Sequence, residues 1–228
     1  MLTAWPCPAA AGETISHTQE FALETGPGDG PRVLVIPALF EEANRTRRLL
    51  VSTMRMLAAE GVGCVLPDLP GCNESLSPLG KQTLSSWRNA VNAALSHFGA
   101  AHILAVRGGA SLAPAGVIGW RLAPAPGSVL LRQMVRARML ADREGGNFRP
   151  EEDYHVEGRT HGITLGGYRL SAQMVSELEA DGAPPLDALR DIAADALPGS
   201  PLWLRIEPGE NAAQSRELAQ MIASEILH

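Results

Sequence analysis

Residues 103–112 read Ile103-Leu104-Ala105-Val106-Arg107-Gly108-Gly109-Ala110-Ser111-Leu112: four apolar residues, then an arginine and two glycines. Such a run suits a strand covered on both faces that ends in a tight turn. The pattern recurs upstream as RVLVIPAL over residues 32–39 and GVGCVLP over residues 61–67, and downstream as GVIGWRL over residues 116–122. Between these runs the apolar period changes. Residues 42–60 carry Leu50, Met54, Leu57 and Ala58 at helical spacing and stop at Gly61; residues 83–98 carry Trp87, Val91, Ala94 and Leu95 and stop at Gly99. Strand, helix, strand, helix, strand, turn, strand predicts an α/β fold, a doubly wound and mainly parallel sheet. Right-handed crossovers then gather residues 37–40, 68–75, 107–111 and 124 on one edge of it.

The remaining segments are read around that frame. Residues 15–25 partly alternate, as in an edge strand or hairpin arm, and PGDGP over 27–31 is turn chemistry. Residues 128–143 form an amphipathic helix with Leu131, Met134, Val135 and Met139 on its apolar side and Arg132 and Arg136 beside it. The charged stretch over 145–162 reads as loop or hairpin, and residues 163–180 pass from strand to a helix capped by Ser171. Residues 125–185 thus interrupt the sheet as a small helical lid insertion. PLWLRIEPG over 201–209 reads as one more strand, and a helix N-capped by Asn211 closes the chain. The expectation is one domain over residues 1–228.

Composition removes several functions. The net charge is -6, with 45% apolar and 19% charged residues, so attraction of the whole molecule to nucleic acid or anionic lipid is not expected. Lys81 is the only lysine; arginines cluster at Arg45, Arg47 and Arg48, and at Arg132, Arg136 and Arg138, with Arg143 and Arg149 beyond. Their planar forks suit anionic groups, although most helical arginines are solvated or ion-paired. Cys7, Cys64 and Cys72 are odd in number and lack metal spacing, which indicates neither a disulfide framework nor a zinc site and fits a reducing, cytoplasmic setting. The N-terminal stretch, broken by Pro6 and Pro8, does not read as a secretory signal, and the apolar run over 112–120 is too short to span a membrane. No dinucleotide or phosphate loop follows any strand, so no cofactor is expected.

A G-x-S-x-G elbow places a nucleophilic serine on a strained strand-to-helix turn. The corresponding residues 105–109 are Ala-Val-Arg-Gly-Gly, with Arg107 in the serine's place. A guanidinium cannot attack a carbonyl. Upstream, Pro37, Glu41, Glu42, Asn44, Arg47 and Arg48 precede a helix, and Asp68, Leu69, Gly71, Glu74 and Ser75 follow the next strand. This string resembles the α/β-hydrolase-like proteins known as exosortase A system-associated hydrolases, particularly the type-2 group. RGGA resembles that group's elbow and GGYRLS over 166–171 its Gly-Tyr-x-Leu-Ser segment, so the likeness spans most of residues 32–205. It implies an α/β-hydrolase fold in a bacterium that exports exopolysaccharide and sorts surface proteins. The chain departs from a full hydrolase where a last strand would lead into a histidine loop; His228 is terminal.

Other candidate nucleophiles are Ser111, Cys72 and Ser75, and candidate bases in the lid are His155 and His161, with His102, His97 and His17 elsewhere. Ser111, four residues past the turn's tip, reads as a donor to local backbone. Arg107 itself calls for a partner, because a cation withdrawn from water is costly unless paired. Glu41, Glu42, Asp68 or a bound anion could serve, and a bridge to Glu41 or Glu42 is favoured. The expected cleft comprises Phe40, Glu41, Glu42, Asn44, Asp68, Arg107 and Gly108. It suits a small acyl or anionic ligand, or a partner, bound without catalysis; the alternative is an ester or acyl hydrolase with a non-standard nucleophile. A third reading makes the helix over 129–142 an interaction surface, and a homo-oligomer stays open.

Overall fold

The computed structural model describes residues 1–10, 16–182, 188–205 and 209–227. A seven-stranded sheet runs β1 (Leu2–Pro8), β2 (His17–Thr25), β4 (Gly63–Pro67), β3 (Arg32–Ile36), β5 (His102–Val106), β6 (Ile118–Leu122) and β9 (Leu189–Ile192) from edge to edge. β1 and β2 are antiparallel to their neighbours, and the five strands from β4 to β9 are parallel. The doubly wound, mainly parallel sheet expected from the sequence is the one observed.

The parallel strands are apolar on both faces because both faces are covered. Leu34, Ile36, Val65, Ile103 and Ala105 join the core that includes α2 (Leu84–His97). Val33, Val35, Leu66, Leu104 and Val106 point the other way, into the core under α1 (Glu41–Ala59) and α6 (Ala212–Ile226). Caps fix the helix starts: Thr83 and Ser86 form a reciprocal capping box on α2, and Asn211 accepts from the Ala213 and Gln214 amides of α6.

Between β6 and β9 come α3 (Gly127–Glu144), α4 (Glu151–His161), the hairpin β7 (Ile163–Leu165) and β8 (Tyr168–Leu170), and α5 (Ala172–Ala180). Their buried side chains, among them Leu131, Tyr154, Leu165 and Leu178, belong to the same core as α2. Ser171 accepts from the Met174 amide and caps α5, as its sequence indicates.

Three readings are corrected. Residues 151–161 are helical, not loop or hairpin: acidic Glu151, Glu152 and Asp153 fill the first turn, and Tyr154 and Gly158 supply the buried side. Residues 202–204 form a 3-10 turn where a strand was expected, and 206–208 lie outside the described residues. The strand that extends the sheet is β9, whose middle residues Arg190 and Asp191 are exposed, so it lacks the apolar signature of its neighbours. At the opposite edge, β1 sits in residues the sequence reading gave no element. Met1 exchanges backbone bonds with Glu24 and the Ala9 amide donates to the Ser16 carbonyl, so by alternation Pro6 and Pro8 face outward and remove two donors from the open edge.

Among the described residues no helix is long and apolar enough to cross a membrane.

Candidate functional site

β4 and β5 flank β3 on opposite sides, while the connection after β3 crosses one face and the one after β4 crosses the other. In open α/β sheets the crevice for ligands lies at such a reversal, outside the carboxyl ends of the strands. Here the ends of β3 and β5 meet there. Gly109 makes the approach possible: a Cβ on it would sit 2.2 Å from the Pro37 carbonyl oxygen.

Both strand ends turn on a non-glycine residue in the left-handed region, Phe40 at φ 55° and Arg107 at φ 53°. Each such residue costs about 1–3 kcal/mol and persists where the surroundings over-determine it. Arg107 begins a 3-10 turn, Arg107–Leu112, directly after β5, so it occupies the elbow between strand and helix.

Each of its three guanidinium nitrogens donates a hydrogen bond inside the protein. Nε donates to Glu42 Oε2 at 3.1 Å and one terminal nitrogen to Glu42 Oε1 at 3.0 Å, a two-pronged pair with the first turn of α1. The other terminal nitrogen donates to the Ala123 carbonyl at 2.8 Å, and the Trp203 ring lies 4.9 Å from the guanidinium carbon. The two charged side chains are only 13% and 12% exposed. Of the expected partners Glu42 takes the role; Glu41 accepts instead from Arg45 at 3.3 Å, and Asp68 accepts from Arg47 at 3.3 Å and Asn73 at 2.7 Å.

Glu42 and Trp203, held by Arg107 from behind, line a cavity of about 460 Å³. Leu39, Phe40, Leu130, Met134 and Leu204 make its walls apolar, while Glu41 and Arg45, the latter also donating to the Trp203 carbonyl at 3.0 Å, supply its paired charges. A second, adjoining hollow of about 240 Å³ shares Leu39, Phe40 and Tyr168 and adds Asn44 and Cys72. Phe40 and Tyr168 pack edge to face at 5.5 Å between the two. Burial, then the Glu41 charge and the Cys72 thiol, raise the Tyr168 pKa, so its phenol stays protonated. Gly108 packs against Leu39 and Leu130, where a Cβ would clash, and Asp68 lines neither hollow.

The alternative nucleophiles are placed otherwise. Ser111 does not bond to local backbone: its hydroxyl donates to Asp181 Oδ2 at 2.5 Å, which also accepts the Gly127 amide at 2.7 Å, while Asp181 Oδ1 accepts from Arg88 at 2.9 Å. The local expectation missed a carboxylate 70 residues away in sequence. Ser75 Oγ accepts the Gly71 and Ser77 amides and braces its own loop. Burial pushes the Cys72 thiol up to about 12, with help from the Asp68 and Glu20 charges, and burial puts Cys7 and Cys64 at about 12 as well. Against an ordinary value of 9.0 this leaves roughly a thousandfold less thiolate near neutral pH. The folded chain is therefore expected to resist iodoacetamide at pH 8 at all three positions and to take up three equivalents once denatured, as intact-mass measurement will show.

Among the described residues no imidazole lines either hollow. His155 bonds to Glu179 at 2.6 Å, and His161 is exposed at the end of α4. His102 opens β5, at the end of the strand opposite Arg107, stacked on Trp120; His97 packs on Trp5 and Phe98. His228 lies outside the described residues. Among the described residues no group of three acidic, histidine or cysteine side chains could hold a metal ion. Trp203 and Arg45 are among the lining residues outside the cleft expected from the sequence, as are Leu39, Leu130, Met134, Tyr168 and Leu204. Arg45 was visible in the arginine cluster of α1; Trp203 sat inside a misread strand.

No family model and no curated protein matches the sequence. The structure does have solved counterparts. A putative hydrolase from Agrobacterium vitis S4 superposes with a TM-score of 0.52 at 16% identity, over 100% of this chain and 97% of the other. Alpha/beta hydrolase domain-containing protein 10 from mouse superposes with a TM-score of 0.54 at 15% identity, over 87% of this chain and 79% of its own. At these identities the likeness concerns the fold, and the fold is that of the α/β-hydrolases.

Proposed function

We propose that this chain is a non-hydrolytic α/β-hydrolase-fold protein that takes up a small, uncharged acyl-type ligand in the 460 Å³ cavity. One observation carries the reading: the residue at the elbow is an arginine whose charge is paired with Glu42 and whose three nitrogens each already donate, two to Glu42 and one to the Ala123 carbonyl. It offers no nucleophile, and its charge is neutralised from inside the protein, which favours an uncharged ligand over an anionic one. The cavity falls within the size of small-molecule sites, and its walls are mostly apolar with a few fixed polar groups. Residues 125–185 act in this reading as its lid, since Leu130, Met134 and Tyr168 come from them. The Glu41-to-Arg48 string and its resemblance to the type-2 exosortase-associated group support a role in the cytoplasm of an exopolysaccharide-exporting bacterium.

Calorimetric titration with monolauroyl glycerol and with laurate tests the proposal. The neutral lipid is expected to bind at least about tenfold more tightly, because a carboxylate would enter an apolar cavity without a free cation. Ala137→Trp, at a position lining the cavity, is expected to weaken it by about tenfold or more by filling the space. Tighter binding of laurate, or steady turnover of a p-nitrophenyl ester that survives in Arg107→Ala, overturns the reading.

A further inference from the structure

The outer face of α3 carries a feature that the cavity does not use. Arg132, Arg136, Leu140 and Arg143 recur at intervals of four, four and three residues, so they share one stripe of the helix, and all four are exposed. Phe148 follows in the loop after the helix, 79% exposed, and Leu140 is 63% exposed. Arg136, Leu140, Arg143 and Phe148 together line one shallow hollow. Elsewhere arginines of this region are satisfied: Arg138 pairs with Asp142, Arg149 with Glu157 and Arg159 with Glu152 and Glu179. Among the described residues Arg132, Arg136 and Arg143 make no ion pair, although Glu151 borders the hollow beside Arg149. A chain of net charge -6 thus gathers three unneutralised guanidinium groups around two bare apolar side chains.

We propose that this face docks on an anionic lipid bilayer. Guanidinium groups bind lipid phosphates through paired donors, while Phe148 and Leu140 enter the boundary between headgroups and acyl chains. An acidic protein would satisfy the arginines but gives no equal reason for two largely exposed apolar side chains beside them. Continuity with the cavity adds a second argument. On the helix the stripe adjoins Gln133 and Ala137, which line the 460 Å³ cavity, so docking sets that cavity's α3 rim against the lipid. The overall negative charge, which argues against long-range attraction, is screened beyond about 8 Å at physiological ionic strength, whereas the stripe acts at contact.

Sedimentation with large vesicles tests this. The chain is expected to pellet with vesicles of equal parts phosphatidylglycerol and phosphatidylcholine at physiological ionic strength, to stay in solution with pure phosphatidylcholine, and to be released as salt rises further. Each arginine is worth about fivefold in partition, so Arg132→Glu/Arg136→Glu/Arg143→Glu is expected to lower binding by about a hundredfold or more. Phe148→Ser is expected to reduce it severalfold at unchanged salt dependence, with circular dichroism confirming that both variants stay folded. The proposal is overturned if the parent chain remains in the supernatant at physiological ionic strength, if the triple variant pellets as the parent does, or if only a polyglutamate peptide is captured. Binding of monolauroyl glycerol without vesicles is expected to survive the triple substitution, so failure of the docking surface and failure of the cavity reading give different results.

Discussion

Arg107→Ser is expected to lower stability by about 3 kcal/mol, and the melting temperature by about 6–12 °C, while producing no esterase activity. The substitution installs a serine on a strand-to-helix elbow that already has the backbone strain such a nucleophile uses. Its cost comes from what is left behind. Glu42 keeps its charge at a nearly buried position and loses both of its guanidinium bonds, and the Ala123 carbonyl loses its donor. Adding Glu42→Gln to Arg107→Ser is expected to restore about half or more of the loss, because the uncompensated charge is then gone. The new hydroxyl gains no base: the nearest function for His155 is its bond to Glu179, and the imidazoles of His97 and His102 lie at the other end of β5. Urea unfolding of the single and double variants, with hydrolysis of p-nitrophenyl acetate measured alongside, checks both halves. A gain in turnover over the parent chain would show that a working base does reach the elbow, and a stability change under 1 kcal/mol would show that the pair is dispensable.

How far the fold could be read follows from where each element is buried. β3, β4 and β5 announce themselves because a strand covered on both faces must be apolar throughout, and α1 and α2 because one stripe of each meets the sheet. β9 fails the same test: Arg190 and Asp191 are exposed, and what pins the strand is its pairing with β6, including the ion pair of Asp191 with buried Arg121. PLWLRIEPG has the composition of a strand, yet Leu202, Trp203 and Leu204 form a turn in which Leu202 and Trp203 are buried and Leu204 borders the cavity. Tertiary demand on Trp203, which covers Arg107, overrode the local β preference. α4 is polar nearly all round and so lacks helical periodicity; the pairing of His155 and Arg159 with Glu179 of α5 and the burial of Tyr154 and Gly158 depend on tertiary packing that no local pattern encodes. The site shows the same division. That Arg107 needs a carboxylate is a rule of burial and could be stated from one chain, and it narrowed the choice to neighbours at the adjacent strand end. That Glu42 takes the bond and Glu41 turns to Arg45 depends on the pitch of α1 after the strained Phe40, which no local pattern encodes.

Asp181→Ala is expected to cost about 3–5 kcal/mol, more than the loss of any single bond it makes. Asp181 ends α5, is nearly buried, and accepts from three separate elements: the Ser111 hydroxyl in the turn after the elbow, the Gly127 amide at the first turn of α3, and Arg88 of α2. Arg88 also donates to the Ser111 carbonyl at 2.8 Å, so its guanidinium and the carboxylate clasp the elbow turn from two sides. Alanine leaves a buried amide and a hydroxyl unpaired and frees a cation from its counter-charge; each hydrogen bond to a charged group is worth about 1.5–3 kcal/mol. Ser111→Ala is the informative contrast. It deletes one donor and leaves the carboxylate held by Gly127 and Arg88, so about 1 kcal/mol is expected. In the double variant the effects should fall short of their sum by about 1 kcal/mol, because the bond lost in each is the same one. If Ser111 were instead a nucleophile, its removal would change ester turnover without this coupling to Asp181. If Asp181→Ala unfolds within 1 kcal/mol of the parent, the elbow is not anchored to the segment between β6 and β9 through this carboxylate, and packing of Leu130 against Gly108 with the bonds of Arg107 to Ala123 and Ala125 would have to hold the two together.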